Sequence, residues 1–239
     1  MTCVGGKVRI KGENGKTDIE ESKKYWTPEE IYRYDKQTVI TDSELEESLK
    51  NAESIEDIYF RLRAKAVISL IRLSGKRRGE IAMPMLENFK VEGSYLAVTF
   101  TLEKKRTSMA SSKTATKRFS LADPLTINVL EYLEFLNKMD PTPKFWLPSG
   151  KESYGHHVTY LDRHVSGRTV FNIVRGCTWK FFPHLGRESV AYDTVQKDDS
   201  ITGIFAVQRA LNLKRFETAF NYVARFSKQK LERTAVNGD

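Results

Sequence analysis

A set of apolar residues that recur at helical spacing between residues 55 and 73 is the feature that most constrains how this chain can fold. The apolar residues at helical spacing are Leu62, Ala66, Leu70 and Leu73, with Val67 and Ile71 beside them. Residues three and four apart lie on the same side of an α-helix, so this pattern predicts a helix with a broad apolar face. Such a face has to be buried, and a glycine often follows the last helical residue. We therefore expect a core helix that ends at Gly75.

The rest of the chain predicts further helices and one β-hairpin. Thr27, Thr41 and Asp123 mark helix starts, because their side chains can cap a first turn. Helices are expected at residues 123–136, 167–175, 185–195, 201–211 and 215–230. Residues 95–102 and 117–121 are strand candidates joined by a loop rich in Ser, Thr and Lys. The expected fold is mainly α with a small antiparallel β-sheet.

Length and composition fit one domain in a reducing compartment. The chain has 239 residues, of which 40% are hydrophobic, enough for a packed core. Residues 1–25 are charged and show little apolar periodicity, so we expect a flexible lead-in followed by a single domain over residues 26–239. Cys3 and Cys177 do not suggest a disulfide framework, and no apolar run approaches the roughly 20 residues of a membrane span. We expect a soluble cytoplasmic protein without membrane contact.

Basic side chains are concentrated in the hairpin and near the C-terminus. The net charge is +8 and the pI about 9.3, which favours a polyanionic partner. Residues 42–57 are acidic instead. This segregation of charge predicts a side of the protein that faces DNA. The candidate DNA-binding residues are Arg106, Lys113, Lys117, Arg118, Lys214 and Arg215.

Four features that could carry chemistry occur in a fixed order. They are residues 74–81 at the end of the core helix, the basic hairpin, His184-Leu185-Gly186-Arg187 at a helix start, and Tyr222. Together they resemble the catalytic domain of tyrosine recombinases, the family of phage-type integrases. The family's first block reads Thr-Gly-x-Arg-x-x-Glu-Leu, and Ser74-Gly75-Lys76-Arg77-Arg78-Gly79-Glu80-Ile81 matches it in spacing and flanks. Residues 145–149, 168–174 and 206–218 extend the resemblance, which spans residues 55 to 226.

The resemblance implies a role for each candidate residue. Tyr222 would attack a DNA phosphodiester to give a 3′-phosphotyrosyl link, while Arg77 and Arg187 would stabilise the charge that develops on the phosphate. His184 would accept or relay the tyrosine proton, and Glu80 would orient Arg77. The residue that protonates the leaving 5′ oxygen would be a hairpin lysine, either Lys104 or Lys105, with Lys117 as a third option. Because the phosphotyrosyl link retains the bond energy, no metal, ATP or other cofactor is expected.

The sequence departs from the family pattern at two positions. Leu213 lies nine residues before Tyr222, where the family usually carries His or Trp, and Glu188 stands where a His is common. The family also commonly has a separate helical DNA-clamping domain ahead of the catalytic one. We expect that clamp to be absent or much reduced here.

The function implied by the resemblance is site-specific recombination or integration. Its partner would be double-stranded DNA, on which protomers would associate through the segment after Tyr222. Such a protein would act at the nucleoid of a prokaryotic host or be encoded by a virus or mobile element. Two alternatives stay open: a DNA-binding accessory protein with weak catalysis, and a DNA-relaxing enzyme similar to type IB topoisomerases.

Overall fold

Capping side chains mark where many of the helices begin. The structure is a computed structural model that describes residues 39–102, 114–153, 156–178 and 180–237, all within the unit Gln37–Asp239. Its α-helices are α1 (Asp42–Glu53), α2 (Ile58–Ser74), α3 (Arg78–Ala82), α4 (Pro124–Asn137), α5 (Gly167–Cys177), α6 (Pro183–Lys197), α7 (Ile201–Leu211) and α8 (Phe216–Asn237). The side chains of Thr41, Asp57, Asp123, Ser166 and Ser200 accept hydrogen bonds from first-turn N–H groups. These caps satisfy donors that helix geometry leaves free, and the starts predicted at Thr41 and Asp123 are confirmed.

Helix α2 lies at the centre of the core, as its apolar pattern predicts. It packs against α1, α4, α5 and α6. Its buried apolar residues are Ala64, Ala66, Val67, Ile68, Leu70 and Ile71. The buried Trp146 braces the residues beyond its end, because the indole N–H donates to the carbonyl oxygen of Ile81 at 2.7 Å. Packing on several sides therefore anchors the end of α2, where residues 74–81 begin.

Two small antiparallel sheets accompany the helices in the described part of the chain. Strands β1 (Phe89–Glu92), β2 (Tyr95–Thr101) and β3 (Thr114–Ser120) form the first in the order β1-β2-β3, and the β2–β3 hairpin was predicted. Strands β4 (Pro148–Ser153) and β5 (His156–His164) form a second hairpin that the sequence did not predict. The sequence of β4, PSGKES, lacks apolar alternation, so its pairing with β5 identifies it. The predicted fold class, mainly α with a small antiparallel sheet, is confirmed.

A sharp turn at Gly75 separates α2 from α3. Gly75 has a φ of +59°, and a Cβ built on it would lie 3.1 Å from both Leu211 Cδ2 and Val190 Cβ. Backbone conformation and space therefore both require glycine here. Arg77 is the residue that precedes the first turn of α3. The Gly75 turn thus sets where Arg77 lies relative to the core.

Some of the predictions lie outside the described residues. These are the flexible lead-in at residues 1–25, the helix start at Thr27, and the basic residues Lys104, Lys105, Arg106 and Lys113. Within the part of the chain that the structure describes, no helix combines the length and apolar character needed to cross a membrane.

Candidate active site

Arg77 and Glu80 form a tight pair at the start of α3. The carboxylate of Glu80 accepts from the backbone N–H of Arg77 through Oε2 and from Nη1 of Arg77 through Oε1, both at 3.1 Å. The Glu80 side chain is only 2% exposed, whereas that of Arg77 is 35% exposed. A buried carboxylate bound at two points fixes the arginine and leaves part of its guanidinium accessible to a ligand. This arrangement agrees with the orienting role expected for Glu80.

Arg187 is buried where three elements meet. It lies on α6 with 5% of its surface exposed, and its guanidinium donates to the carbonyl oxygens of Gly75 at 2.9 Å and Leu211 at 2.7 Å. Burial lowers its pKa, and the positive charge of Arg77 adds to this effect. An arginine nevertheless stays protonated at any working pH. The site therefore holds two fixed cations brought from distant parts of the sequence.

Two lysines lie beside this arginine pair. Lys76 is fully buried, with its Nζ 5.3 Å from the ring centroid of Phe100, and burial lowers its pKa to about 8. Lys117, on β3, is half-buried and donates from Nζ to the carbonyl oxygen of Ser74 at 2.6 Å. Burial lowers the pKa of Lys117 to about 7, and the charges of Lys76 and Arg187 contribute. Lys117 therefore faces the centre of the site.

Tyr222 reaches the site from α8 and contacts Glu188. Its hydroxyl donates to Oε1 of Glu188 at 3.3 Å, and Nε2 of His184 lies 3.2 Å from the same oxygen. Arg225 donates to Oε2 of Glu188. Burial raises the pKa of Tyr222 and the charge of Glu188 raises it further, while the positive charge of Arg187 acts in the opposite direction. The hydroxyl is thus held by a carboxylate on the helix that also carries Arg187.

This arrangement of elements is shared with solved recombinase structures. XerH site-specific recombinase bound to palindromic difH substrate, in a post-cleavage complex, superposes with a TM-score of 0.54 at 19% identity, over 83% of this chain and 52% of that one. XerH in a pre-cleavage complex with difH substrate superposes with a TM-score of 0.51 at 20% identity, over 83% of this chain and 53% of that one. XerA recombinase superposes with a TM-score of 0.52 at 16% identity, over 78% of this chain and 58% of that one.

This is the tyrosine recombinase catalytic-domain fold. The chain spans between 52% and 58% of the length of these recombinases. Comparison of the sequence with protein-family models and with curated proteins gives no match. The likeness therefore lies in the arrangement of the elements, and the residues of the site have to be judged by their own geometry.

The fold brings together around one centre the predicted catalytic residues that the structure describes. His184 and Tyr222 contact the same oxygen of Glu188, and Arg187 contacts the carbonyl oxygen of Gly75, two residues before Arg77. Leu213 instead packs against the apolar cluster formed by α6, α7 and α8, which accounts for an apolar side chain at this position. Lys104 and Lys105 lie outside the described residues.

The predicted DNA-binding residues are divided between the site and the surface. Lys117 belongs to the site, as described above. Arg118, its neighbour on β3, is exposed and pairs with Glu92 at 2.9 Å. Lys214 and Arg215 are exposed between α7 and α8. Arg118, Lys214 and Arg215 are therefore accessible to a large ligand.

Two residues of the site were not identified from the sequence. Glu188 was noted only as a departure from the family pattern, and Lys76 only as part of a motif. One signal for Glu188 was available, because His184 and Glu188 are four residues apart and such pairs meet on a helix. No local signal indicates that Lys76 is buried, because a lysine beside two arginines in the sequence is ordinarily exposed to solvent.

Proposed function

We propose that the protein is a site-specific DNA recombinase that cleaves and rejoins DNA through a covalent bond between Tyr222 and a 3′-phosphate. One observation carries this proposal: the hydroxyl of Tyr222 contacts Glu188, the neighbour of Arg187 on α6, and Arg187 itself contacts the carbonyl oxygen of Gly75, two residues before Arg77. A nucleophile beside two fixed guanidinium groups is the arrangement that attack on a phosphodiester requires. The fold, shared with recombinases solved in complex with DNA, supports the same reading.

The two arginines would stabilise the charge that develops as the phosphodiester is attacked. Negative charge grows on the non-bridging oxygens while the bond from Tyr222 Oη to phosphorus forms and the bond to the 5′ oxygen breaks. A guanidinium presents a planar fork that matches two phosphate oxygens, so Arg77 and Arg187 suit this role better than lysines would. The energy of the broken bond is kept in the phosphotyrosyl link, and rejoining needs no ATP.

The leaving 5′ oxygen would take its proton from a lysine of the β2–β3 hairpin. Lys117 is supported by its place at the centre of the site and by burial, which lowers its pKa to about 7. An acid with a pKa near the working pH is protonated in a large fraction of molecules and still transfers its proton readily. Lys104 and Lys105 remain alternatives for the same step.

Formation of a covalent adduct tests this function directly. The wild-type protein is incubated with nicked suicide duplexes from the DNA that flanks its gene, and adducts are separated under denaturing conditions. We expect Tyr222→Phe to bind DNA but to form no adduct, because only the attacking oxygen is lost. Tyr192→Phe is the matched control, since Tyr192 packs against the same apolar cluster. An adduct formed by Tyr222→Phe would show that another residue is the nucleophile.

The second candidate is a DNA-binding protein with weak catalysis. It is favoured by the raised pKa of Tyr222, which disfavours the phenolate, and by the two backbone carbonyls that already occupy Arg187. Wild-type protein that binds the flanking DNA specifically, yet forms no adduct on any suicide duplex, would support this candidate over the recombinase.

A further inference from the structure

Glu188 is a buried carboxylate that contacts several functional groups at once. Only 1% of its surface is exposed. From its own helix α6 it meets His184, and from α8 it meets Tyr222 and Arg225. Burying a carboxylate costs several kcal/mol unless it is paired and hydrogen-bonded, so these partners hold its charge in place. Arg225 binds one carboxylate oxygen, and the other oxygen faces the tyrosine.

The oxygen that faces Tyr222 is placed where the reaction needs a base. A phenol has an ordinary pKa near 10, so at neutral pH it must lose its proton as it attacks. Burial raises the pKa of Tyr222 further, which makes a nearby acceptor more necessary. A candidate base must lie within hydrogen-bonding reach of the proton that it takes. Oε1 of Glu188 meets this requirement at 3.3 Å.

We propose that Glu188 is a catalytic residue that accepts the proton of Tyr222 during DNA cleavage. The inference rests on the proposed recombinase function. As the bond between Tyr222 Oη and phosphorus forms, the hydroxyl proton moves to Oε1 of Glu188. The bond between phosphorus and the 5′ oxygen breaks, and that oxygen takes a proton from the hairpin lysine. In the rejoining step Glu188 returns its proton to Tyr222.

The movement of charge in this step favours catalysis. Before attack, the carboxylate of Glu188 carries a negative charge close to the position of the phosphate. Transfer of the tyrosine proton neutralises that carboxylate while the new charge appears on the phosphate oxygens. There it meets the positive charges of Arg77 and Arg187. The repulsion between carboxylate and phosphate thus disappears as the transition state forms.

His184 is placed to exchange the proton with solvent. Its side chain is 43% exposed, and Nε2 lies 3.2 Å from the oxygen that faces Tyr222. A partly exposed imidazole next to a buried carboxylate can pass a proton between that carboxylate and solvent. His184 therefore acts after Glu188, which agrees with the relay that was one of its two predicted roles.

The first test is the single-turnover cleavage rate of Glu188→Gln on a nicked suicide duplex. Glutamine keeps the shape and an acceptor oxygen but is not a base, so we expect the rate to fall roughly 100-fold or more. DNA affinity should stay the same or rise, because one negative charge is lost. Asp193→Asn is the matched control on the same helix, since Asp193 pairs with Arg72 instead. That variant should cleave at the wild-type rate.

The pH profile separates a base from a residue that only holds the structure. With Glu188→Gln the proton has to leave to solvent before attack, so the rate should rise about tenfold per pH unit below the pKa of the tyrosine. Glu188→His supplies a different base and should recover much of the rate. The pH at which its cleavage rate begins to fall on the acidic side should be higher than in wild type, because an imidazolium is ordinarily a weaker acid than a carboxylic acid.

Three outcomes would overturn the proposal. A Glu188→Gln variant that cleaves as fast as wild type or faster would show that the carboxylate only restrains Tyr222. A slower variant with an unchanged pH profile would indicate a structural role. Loss of folding by Glu188→Gln, together with a Glu188→His variant that folds but does not cleave, would also exclude a base here. Adduct formation by wild type and its loss in Tyr222→Phe would stand in each case, so the proposed function is tested separately.

Discussion

Lys117 shows how burial can prepare a single residue for chemistry. Its Nζ donates to the carbonyl oxygen of Ser74, and burial together with Lys76 and Arg187 lowers its pKa to about 7. A general acid has to be protonated, and its protonated fraction falls as the pH rises through its pKa. A bound phosphate favours the charged form of the lysine. In the complex with DNA, the cleavage rate should therefore begin to fall only at or above pH 7.

We predict that Lys117→Ala slows cleavage of ordinary DNA but not of DNA with a 5′-phosphorothiolate at the cleavage site. The thiolate leaves without a proton, so an acid is no longer needed. In wild type the fall in rate at high pH should disappear with the same substrate. Lys138→Ala, which changes an exposed lysine that pairs with Glu134 of α4, is the control and should cleave both substrates normally. Rescue of Lys104→Ala or Lys105→Ala, but not Lys117→Ala, would move the acid to the hairpin loop.

At the scale of elements, a close contact between α6 and α2 positions Arg187. A Cβ built on Gly186 would lie 2.5 Å from Cγ2 of Ile71 and 3.1 Å from its carbonyl oxygen. The absence of a side chain at Gly186 therefore lets the two helices approach. The next residue of α6 is Arg187, whose guanidinium reaches the carbonyl oxygen of Gly75 just beyond the end of α2. The spacing of α2 and α6 and the position of Arg187 are thus linked.

We predict that Gly186→Ala destabilises the protein by about 1–3 kcal/mol, the usual cost of overpacking a core. It should also slow cleavage, because a shift of α6 moves Arg187 away from its place. Thermal unfolding and single-turnover cleavage measure the two effects. Gly176→Ala on α5 is the control, since nothing lies within 4 Å of its Cβ, and alanine favours helices there. Equal stability of the two variants would contradict the close contact.

At the scale of the whole molecule, charge determines how the protein should respond to salt. The net charge is +8, and Arg118, Lys214 and Arg215 are exposed. A protein that neutralises phosphates releases counterions from DNA, and the logarithm of affinity falls with the logarithm of salt concentration by about 0.9 per phosphate. The predicted self-association on DNA through the segment after Tyr222 stays a prediction. That segment is helical, since α8 continues to Asn237.

We predict that binding of a short duplex weakens with salt with a slope of roughly −4 to −7, which corresponds to about five to eight phosphate contacts. Fluorescence anisotropy between about 50 and 200 mM salt measures the slope over a range where it is steep. Arg215→Ala should reduce it by about 1 if Arg215 contacts a phosphate. Lys138→Ala is the control, because Lys138 is exposed but already pairs with Glu134. A slope near zero would exclude DNA binding through this charge.

The sequence by itself determined the features that depend on residues close together in the chain. Helix α7 was predicted with its observed bounds, Ile201–Leu211, and the starts at Thr41 and Asp123 follow from caps within a single turn. The order of Arg77, Arg187 and Tyr222 was also readable, because each lies within a short motif. Helix caps, apolar spacing and short motifs each involve residues a few positions apart, so the sequence shows them completely.

Only the tertiary structure decided which distant groups meet. Glu188 and Tyr222 are 34 residues apart, and Ser74 and Lys117 are 43 apart, so no local pattern indicates either contact. The lowered pKa values of Lys76 and Lys117 likewise come from burial, which depends on how helices and strands pack together. The proposed nucleophile and the two arginines could be named from their motifs. His184 and the hairpin lysines were also named for proton transfer, but the contact of Glu188 with Tyr222 and the burial of Lys117 follow from the fold, because desolvation and proximity exist only once the chain is packed.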